Sequence, residues 1–333
     1  MNEAVATDEF VQTAPLQPGE TLPLVVTPRE RASTLDDFVS WLEAHRTFVE
    51  RLLLAHGALL FRGFPVRSVE DFGAVTRAAS ERIIEYSERS SPRSQVADKV
   101  YTSTDYPASR RIFPHNEHSY SLTYPLRLFF GCLEPAKTGG ETPLADIRKV
   151  TARIGPKTRE RFQSRGWMWA RHFGDGMGLS WQTTFQTSDR SAVDAYCRRS
   201  KIDAEWLDGD RLRTRQVRPV FATHPRTNET LWFNHLTFFH ISTLDRELRE
   251  VLLAELSEDE LPNNTYYGDG GSIEPEIMDE LRAAYEQEMI AFPWQQGDVL
   301  LIDNMLTAHA RSSYTGPRRV LVAMAEPITR TDF

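Results

Sequence analysis

The segment "GDVLLIDNMLTAHARSSYTGPRRVLVAM", residues 297–324, contains two strongly apolar stretches close to the C-terminal end of the chain. The runs "VLLID" and "VLVAM" are short, aliphatic and bounded by polar or glycine-containing turns, which is typical of buried strands. His309 lies between the two runs, just beyond the first. The segment therefore predicts two core strands of a β-rich fold and places a histidine at the edge of that core.

The chain before this segment alternates similar strands with amphipathic helices. "ALLFRGF" (58–64) and "LRLFFGCLEP" (126–135) have the apolar content of buried strands. Residues 34–57 and 68–80 instead keep apolar side chains at helical spacing. The mixture predicts a mainly β fold with peripheral helices, arranged as one β-sandwich or barrel under a helical cover.

Helix ends are marked by capping residues. Thr34 or Asp36 is the expected N-cap of the first helix, and Gly57 lies just past its end. Four shorter helices are predicted, at residues 156–164, 190–200, 244–257 and 275–288.

Two units are expected along the chain of 333 residues. Residues 1–30 are acidic and contain proline, which predicts a flexible or edge segment. Residues 31–333 are expected to form a single domain, because β-sandwich and barrel enzymes often exceed 200 residues as one unit.

Charge and cysteine content exclude several classes of function. The formal net charge is −8 and the basic residues are scattered, so the basic surface that nucleic acid or an anionic membrane requires is not expected. The longest apolar run, "LLLAHGALLF" (52–61), is too short to span a bilayer. Cys132 and Cys197 are the only cysteines, which fits a reducing compartment, and we expect the cytoplasm.

The segment "FPHNEHSY", residues 113–120, contains a candidate half of a metal site. Residues i and i+2 of an extended strand point to the same face, so His115 and Glu117 can converge on one ion. His309 is the obvious third ligand. Two histidines and one carboxylate leave three coordination positions open, which suits Fe(II), whereas a closed zinc site requires four protein ligands.

The His-x-Glu pattern alone is weak. With nine histidines and 47 acidic residues in 333, about one His-x-Asp/Glu triplet is expected by chance (9 × 47/333), and one is present. The flanking motifs are more specific: "TGGETPLAD" (138–146) follows His115, and "GDVLLIDNMLTAHAR" (297–311) precedes "YTGPRRVLVAM" (314–324).

With these motifs in this order, the chain resembles the taurine dioxygenase-like family of Fe(II)/2-oxoglutarate oxygenases, and within it the clavaminate-synthase-like and syringomycin-type hydroxylases. The resemblance extends from about Phe61 to Met324. It implies a double-stranded β-helix (jelly-roll) core and the use of Fe(II), 2-oxoglutarate and O2.

The resemblance also implies roles for individual residues. His115, Glu117 and His309 are the implied iron ligands, and Thr142 and Arg319 are implied to hold the distal carboxylate of 2-oxoglutarate. A guanidinium group matches a carboxylate bidentately, and a neighbouring hydroxyl can add a hydrogen bond. Arg318 competes with Arg319, because strand alternation points only one of them inward; the family match favours Arg319.

The implied substrate is a small molecule, an amino acid or an amino-acid-like group, free or tethered to a peptidyl carrier protein in nonribosomal peptide assembly. The implied reaction is hydroxylation of an unactivated C–H bond, with antibiotic biosynthesis as the setting. Arg111 is a candidate partner of a substrate carboxylate. Glu117 replaces the aspartate more usual in the family, and because it leaves no room for chloride, it favours hydroxylation or desaturation over halogenation.

Alternative interpretations remain open at this point. The chain can be a non-catalytic jelly-roll binding module, a desaturase or cyclising oxygenase of the same family, or a zinc hydrolase that uses the same three ligands. His224, His235 and His240 are substitute ligands only if His309 fails. His118, Glu134 and Asn304 are expected to form hydrogen bonds around the site rather than to react.

Overall fold

A computed structural model describes residues 8–30, 34–84, 95–102, 106–174 and 178–330 of the chain. The strands in these ranges, in chain order, are β1 (Val11–Pro15), β2 (Leu24–Pro28), β3 (Ala58–Phe61), β4 (Ile83–Ile84), β5 (Gln95–Ala97), β6 (Val100–Thr102), β7 (Ile112–His115), β8 (Thr123–Glu134), β9 (Thr138–Gly139), β10 (Leu144–Asp146), β11 (Trp167–Phe173), β12 (Asp203–Trp206), β13 (Leu212–Arg218), β14 (Phe221–Thr223), β15 (Thr230–Trp232), β16 (Asn263–Tyr267), β17 (Met289–Ile290), β18 (Val299–Asp303), β19 (Thr307–Arg311), β20 (Tyr314–Thr315) and β21 (Arg319–Thr329).

The helices in the same ranges cover the sheets and connect them. They are α1 (Leu35–Ala44), α2 (Arg46–His56), α3 (Val69–Ala79), α4 (Ile147–Arg153), α5 (Pro156–Arg165), α6 (Trp181–Phe185), α7 (Arg190–Arg199), α8 (Leu236–Phe239), α9 (Arg246–Glu255) and α10 (Pro275–Glu286), with 3-10 turns at Ile241–Thr243 and Glu258–Glu260. Among the described residues, no helix has both the length and the apolar character needed to cross a bilayer.

Three sheets account for most of these strands. The described part of the largest has the order β1-β2-β3-β18-β8-β21-β6-β5, with β4 paired to β21. A four-stranded sheet has the order β17-β10-β19-β7, and a second one the order β12-β13-β11-β16. Two two-stranded sheets, the hairpin β14–β15 and the pair β9–β20, complete the list of paired strands in the described ranges.

The two apolar runs of the opening segment form central strands of the largest sheet. β18 and β21 both pair antiparallel with β8. Leu128 and Phe130 of β8 face an inner core shared with Leu144 of the β17-β10-β19-β7 sheet, whereas Phe129 faces the core under α1–α3. This two-residue alternation follows from strand geometry and gives two layers of strands around one core, with helices outside. The predicted mainly β fold with peripheral helices and a jelly-roll core is confirmed.

The first predicted helix differs from the observed structure. Thr34 does cap it, in a capping box with Asp37, and Gly57 ends it in the left-handed conformation at φ 74°. However, His45 interrupts the helix and separates α1 from α2. The imidazole Nδ1 of His45 lies 2.9 Å from the carbonyl oxygen of Trp41, so the side chain adds to the capping of α1.

The N-terminal segment contributes strands at the edge of the largest sheet. Its described part, residues 8–30, contains β1 and β2, and β2 runs parallel to β3. The four shorter predicted helices are present as α5, α7, α9 and α10. The assignment of residues 31–333 to a single domain stays a prediction.

Candidate metal centre and cavity

The two candidate histidine ligands lie on neighbouring strands. β7 ends at His115, and β19 pairs antiparallel with it so that His115 and His309 are direct register partners. Side chains of directly opposed residues lie on the same face of a sheet. The two imidazole rings accordingly lie with their centroids 4.3 Å apart.

Glu117 lies in the turn that follows β7 rather than on the strand itself, so the expected i, i+2 strand geometry is not the way it reaches the histidines. Its position is fixed through the backbone by Asn304. The Glu117 N–H donates to Asn304 Oδ1 at 2.7 Å, and Asn304 Nδ2 donates to the Glu117 carbonyl oxygen at 2.8 Å. Asn304 therefore holds the turn from both sides, as expected for a hydrogen-bonding residue around the site.

The three side chains converge on one point. Each of His115, Glu117 and His309 offers one ligand atom, and these atoms lie within 4.8 Å of one another; all three residues are buried. His309 Nε2 is 3.8 Å from Glu117 Oε2. His115 Nδ1 lies 2.9 Å from the Phe113 carbonyl oxygen, so this nitrogen donates to it and Nε2 carries the lone pair. Two imidazole nitrogens and a carboxylate oxygen are a donor set that fits a divalent iron ion.

Other histidines of the sequence have different surroundings. His224 Nε2 is 3.0 Å from Asp303 Oδ2, and Asp303 Oδ1 accepts the backbone N–H groups of Met305 and Leu306. His224 thus supports the turn between β18 and β19. His224 directly follows β14, in the connection to β15, with which β14 pairs antiparallel.

His235 lies against the candidate ligands. Its ring centroid is 5.4 Å from that of His115, and its Nδ1 is 2.6 Å from Ser119 Oγ. Burial, and then the nearby His115, hold the pKa of His235 well below its usual value, so the ring is neutral. His118 Nε2 lies 3.6 Å from Glu117 Oε1. His235 is far from His115 in the sequence, so motif spacing could not predict its contact with this site.

The candidate residues for 2-oxoglutarate require one correction. Thr142 is buried, and its hydroxyl accepts a hydrogen bond of 3.2 Å from Trp294 Nε1. Arg318 Nε donates to the Gly140 carbonyl oxygen at 2.8 Å, two residues before Thr142. Burial, and then the neighbouring Arg311, lower the pKa of Arg318 to about 10. Arg318, not Arg319, is therefore the arginine beside Thr142.

The predicted orientation of Arg319 was wrong for a geometric reason. Arg319 is exposed at the start of β21 and lies opposite Glu134, which is also exposed. Val320 faces the inner core, so strand alternation turns Arg319 outward and Arg318 inward. The register also shifts between Arg319 and Val320, because β8 has one extra residue there, Leu133, between their partners Glu134 and Cys132.

A cavity of about 480 Å³ opens beside the cluster, a size typical of small-molecule sites. Its wall includes Tyr106 and Arg111, which precede β7, and Phe173 and Leu179, at and beyond the end of β11. Residues 103–105 and 175–177 lie outside the described ranges. The Arg111 side chain is 62% exposed, and its guanidinium lies 3.1 Å from Glu286 Oε1. Arg111 is therefore at the rim of the cavity.

A jelly roll with a buried cluster of two imidazoles and one carboxylate, open to a small-molecule cavity, defines a mononuclear non-haem iron oxygenase. The chain belongs to the taurine catabolism dioxygenase TauD, TfdA family, whose sequence profile matches residues 12–324.

Relatives of known sequence support this membership. The chain is 38% identical to the dapdiamide synthesis protein DdaC of Enterobacter agglomerans, over 94% of each chain. It is 29% identical to a clavaminate synthase-like protein of Arabidopsis thaliana, over 91% of this chain and 93% of the other.

Solved structures share the fold. PvcB of Pseudomonas aeruginosa, described as an Fe, alpha-ketoglutarate dependent oxygenase from an isonitrile synthetic pathway, matches with a TM-score of 0.57 at 16% identity, over 97% of this chain and 94% of that chain. AAD-2 in complex with Mn(II) and N-oxalylglycine matches with a TM-score of 0.51 at 14% identity, over 96% of this chain and 99% of that chain. The predicted family, enzyme class and cofactors are confirmed: the chain is an oxygenase that depends on Fe(II), 2-oxoglutarate and O2.

Proposed function

We propose that the chain holds Fe(II) with His115, Glu117 and His309 and hydroxylates an unactivated C–H bond of an amino acid or amino-acid-derived substrate. The observation that supports the iron site is the convergence of three buried ligand atoms within 4.8 Å at the wall of the cavity. A buried carboxylate requires a compensating positive charge, which a divalent ion between these groups supplies.

The protein's share of the reaction is to position and shield the reacting groups. Bound Fe(II), with 2-oxoglutarate and O2, supplies the oxidation of a C–H bond coupled to the conversion of 2-oxoglutarate into succinate and CO2. The carbonyl of Phe113 fixes the tautomer of His115, and Asn304 fixes the backbone of Glu117, so the ligands keep one geometry. Phe238, 4.7 Å from the His115 ring between centroids, gives the cavity an apolar wall beside this ligand.

For the cosubstrate we propose Arg318 with Thr142 in place of the predicted Arg319 with Thr142. The Arg318 Nε donates to the Gly140 carbonyl oxygen, and the residue is half-buried. Its planar fork can bind the distal carboxylate of 2-oxoglutarate, and the Thr142 hydroxyl can donate to the same group. Phe130, whose ring centroid is 5.0 Å from that of His309, provides an apolar wall for the chain of the cosubstrate.

The proposed setting is the biosynthesis of an antibiotic or another natural product in the cytoplasm. The similarity to a dapdiamide synthesis protein supports this setting, since it extends over nearly the whole of both chains. The substrate is free or bound to a peptidyl carrier protein, and Arg111 at the cavity rim contacts it. Glu117 occupies the position that a halogenase leaves open for chloride. Desaturation or cyclisation by the same site is the alternative reaction.

Anaerobic addition of Fe(II) and 2-oxoglutarate tests the metal site. We expect a weak visible charge-transfer band that disappears in the variant His115→Ala; an unchanged band in that variant would contradict the assignment. Candidate amino acids, free and thioester-linked, are then screened for succinate release and for the gain of one oxygen atom by mass spectrometry. Tight 2-oxoglutarate binding without turnover would favour a binding module, and oxygen-independent activity with zinc would favour a hydrolase.

A further inference from the structure

Asn263 is a half-buried asparagine in the wall of the cavity that also contains His115 and Glu117. It begins β16, and its register partner on the neighbouring strand β11 is Arg171, which lines the same cavity. Both strands belong to the β12-β13-β11-β16 sheet, whereas β7 and β19, which carry the histidine ligands, belong to another sheet. The cavity therefore has a carboxamide group on a wall that is separate from the metal centre.

The indole of Trp169 fixes the orientation of this carboxamide. Trp169 is buried, and its Nε1 donates to Asn263 Oδ1 at 3.1 Å. Because an indole N–H can only donate, the atom that it contacts is the carboxamide oxygen, which decides between the two orientations that an asparagine side chain allows. The Nδ2 group, with its two N–H donors, is therefore the end of Asn263 that can donate to a ligand in the cavity.

A continuous series of ring contacts connects Trp169 to the metal centre. His115 contacts His235, with 5.4 Å between ring centroids. Phe239 contacts His235 at 4.8 Å and is stacked on Trp169 at 4.1 Å. His235 and Phe239 both line the cavity. The Asn263 carboxamide and the metal cluster are thus connected by an aromatic surface suited to an apolar segment of a ligand.

Thr243 adds an acceptor to the same cavity. It ends the 3-10 turn at residues 241–243, and this turn is tied to β16 because the Ile241 N–H donates to Asn264 Oδ1 at 3.1 Å. Thr243 lines the cavity, and its hydroxyl donates to the Thr237 carbonyl oxygen at 2.6 Å. Since the hydroxyl proton is committed to this bond, the Thr243 oxygen can only accept from a ligand.

We propose that Asn263 and Thr243 bind an uncharged amide of the substrate. Asn263 Nδ2 donates to the amide carbonyl oxygen, and the amide N–H donates to Thr243 Oγ1. This inference rests on the proposed function and adds to it the chemical class of the substrate, an amino-acid derivative whose amide is separated by an apolar segment from the oxidised carbon. A carboxylate fits the pair less well, because it offers only acceptors and places one of them against the Thr243 oxygen.

Three sets of probes that differ only in this group test the proposal. They are N-acetyl-L-amino acids, the matching esters in which oxygen replaces the amide N–H (O-acetyl-2-hydroxy acids), and the matching ethers, in which CH2 also replaces the carbonyl (O-ethyl-2-hydroxy acids). Calorimetry with the Fe(II)- and 2-oxoglutarate-loaded protein under anaerobic conditions measures binding without turnover. We expect the wild-type protein to prefer the amide over the ester and the ester over the ether, each by about 10-fold, because each replacement leaves one polar group of the site without its partner.

Two variants remove the two preferences separately. Asn263→Asp keeps an oxygen for the Trp169 N–H but loses the N–H donors, so we expect it to abolish the preference for the ester over the ether. Thr243→Val removes the hydroxyl oxygen, so we expect it to bind amide and ester within about twofold of each other, whereas Thr243→Ser retains the preference for the amide. A merely structural role of either residue would lower the affinity for all three probes equally.

Asn228→Asp is the matched control. Asn228 is exposed in the connection between β14 and β15 and lies outside the cavity lining. This variant introduces the same change of charge away from the cavity, so it should bind all three probes like the wild type.

The outcomes distinguish this inference from the proposed function. If Fe(II) and 2-oxoglutarate give no charge-transfer band in the wild-type protein, the iron site is contradicted, whereas the band should be present in Asn263→Asp and in Thr243→Val. The inference is overturned if the wild-type protein binds none of the N-acetyl amino acids, if it binds the ethers as well as the amides, or if either variant retains the preference that it should lose.

Discussion

Arg318 immediately precedes β21 and Arg319 is its first residue, and Arg319 is exposed whereas Arg318 is half-buried. The sequence predicted that only one of them points inward, but it could not decide which, because the decision depends on the register of β21 against β8 and on the register shift between Arg319 and Val320. Register is a property of paired strands distant in sequence. The family resemblance favoured Arg319 as the inward residue, and in the structure Arg319 is the exposed member of the pair.

Single substitutions of these two arginines test the correction. We expect Arg318→Gln to raise the KM for 2-oxoglutarate by about 10- to 100-fold, since a buried charge-assisted pair is lost. Arg319→Gln should leave the KM within about twofold, because an exposed strand-end charge contributes little. Steady-state kinetics with varied 2-oxoglutarate gives both values. The opposite ranking of the two variants would restore the original assignment to Arg319.

His240 provides a prediction on pH and stability. Burial, and then the neighbouring Arg282, lower the pKa of His240 from 6.5 to about 4. The unfolded chain therefore takes up a proton on this histidine below about pH 6.5, while the folded chain remains neutral there until about pH 4. Because protons bind preferentially to the unfolded state in this window, the free energy of unfolding decreases as the pH falls through it, by up to about 3 kcal/mol in total.

Denaturant unfolding between pH 7 and pH 4 measures this dependence. The variant His240→Gln removes the titrating group. It should therefore lower the number of protons taken up on unfolding in this window by about one, which makes the unfolding free energy less dependent on pH. Equal slopes in wild type and His240→Gln would show that His240 does not titrate differently in the folded protein.

At the scale of elements, local sequence patterns predicted the strands and helix ends that depend on interactions between residues close in the chain. The central strands β8, β18 and β21 follow from apolar runs, and Thr34 and Gly57 mark helix ends through their own backbone contacts. The interruption at His45 was not predictable, because Asp8 takes part in it. The Asp8 carboxylate accepts a hydrogen bond of 3.1 Å from Trp41 Nε1 and lies 3.7 Å from His45 Nε2.

The contact between β8 and α3 depends on the absence of a side chain at Gly131. A Cβ atom there would lie 2.4 Å from Cδ2 of Phe72. Phe72 is fully buried on α3, so it has little room to move aside. We expect Gly131→Ala to destabilise the fold by about 1–3 kcal/mol, the usual cost of overpacking, as measured by denaturant unfolding.

A double-mutant comparison isolates this cause. Phe72→Leu alone creates a cavity and costs stability, but Gly131→Ala should cost less in that background than in the wild type, because the smaller side chain leaves space for the new methyl group. Costs that simply add in the double variant would show that the contact with Phe72 is not the reason.

At the scale of the whole molecule, the fold brings together residues that the sequence could connect only through motifs. His115 and His309 become register partners only when β7 and β19 pair across the jelly roll. The site's metal side was therefore predictable from motif order and family resemblance. The opposite wall of the cavity was not predictable, because Arg171 comes from a separate sheet and no motif spacing relates it to His115.

Metal binding should stabilise the whole fold through this pairing. An ion held by β7, the following turn and β19 binds the folded chain and not the unfolded one, so it adds about 2.7 kcal/mol at a free concentration of 100 times its Kd. Under anaerobic conditions we expect Fe(II) to raise the Tm, a chelator to reverse the increase, and His309→Ala to show no response to either. Arg165→Gln, away from the cluster, should respond like the wild type. If His309→Ala gains the same increase in Tm, the ion binds elsewhere, and the three side chains that meet between β7 and β19 do not form the site.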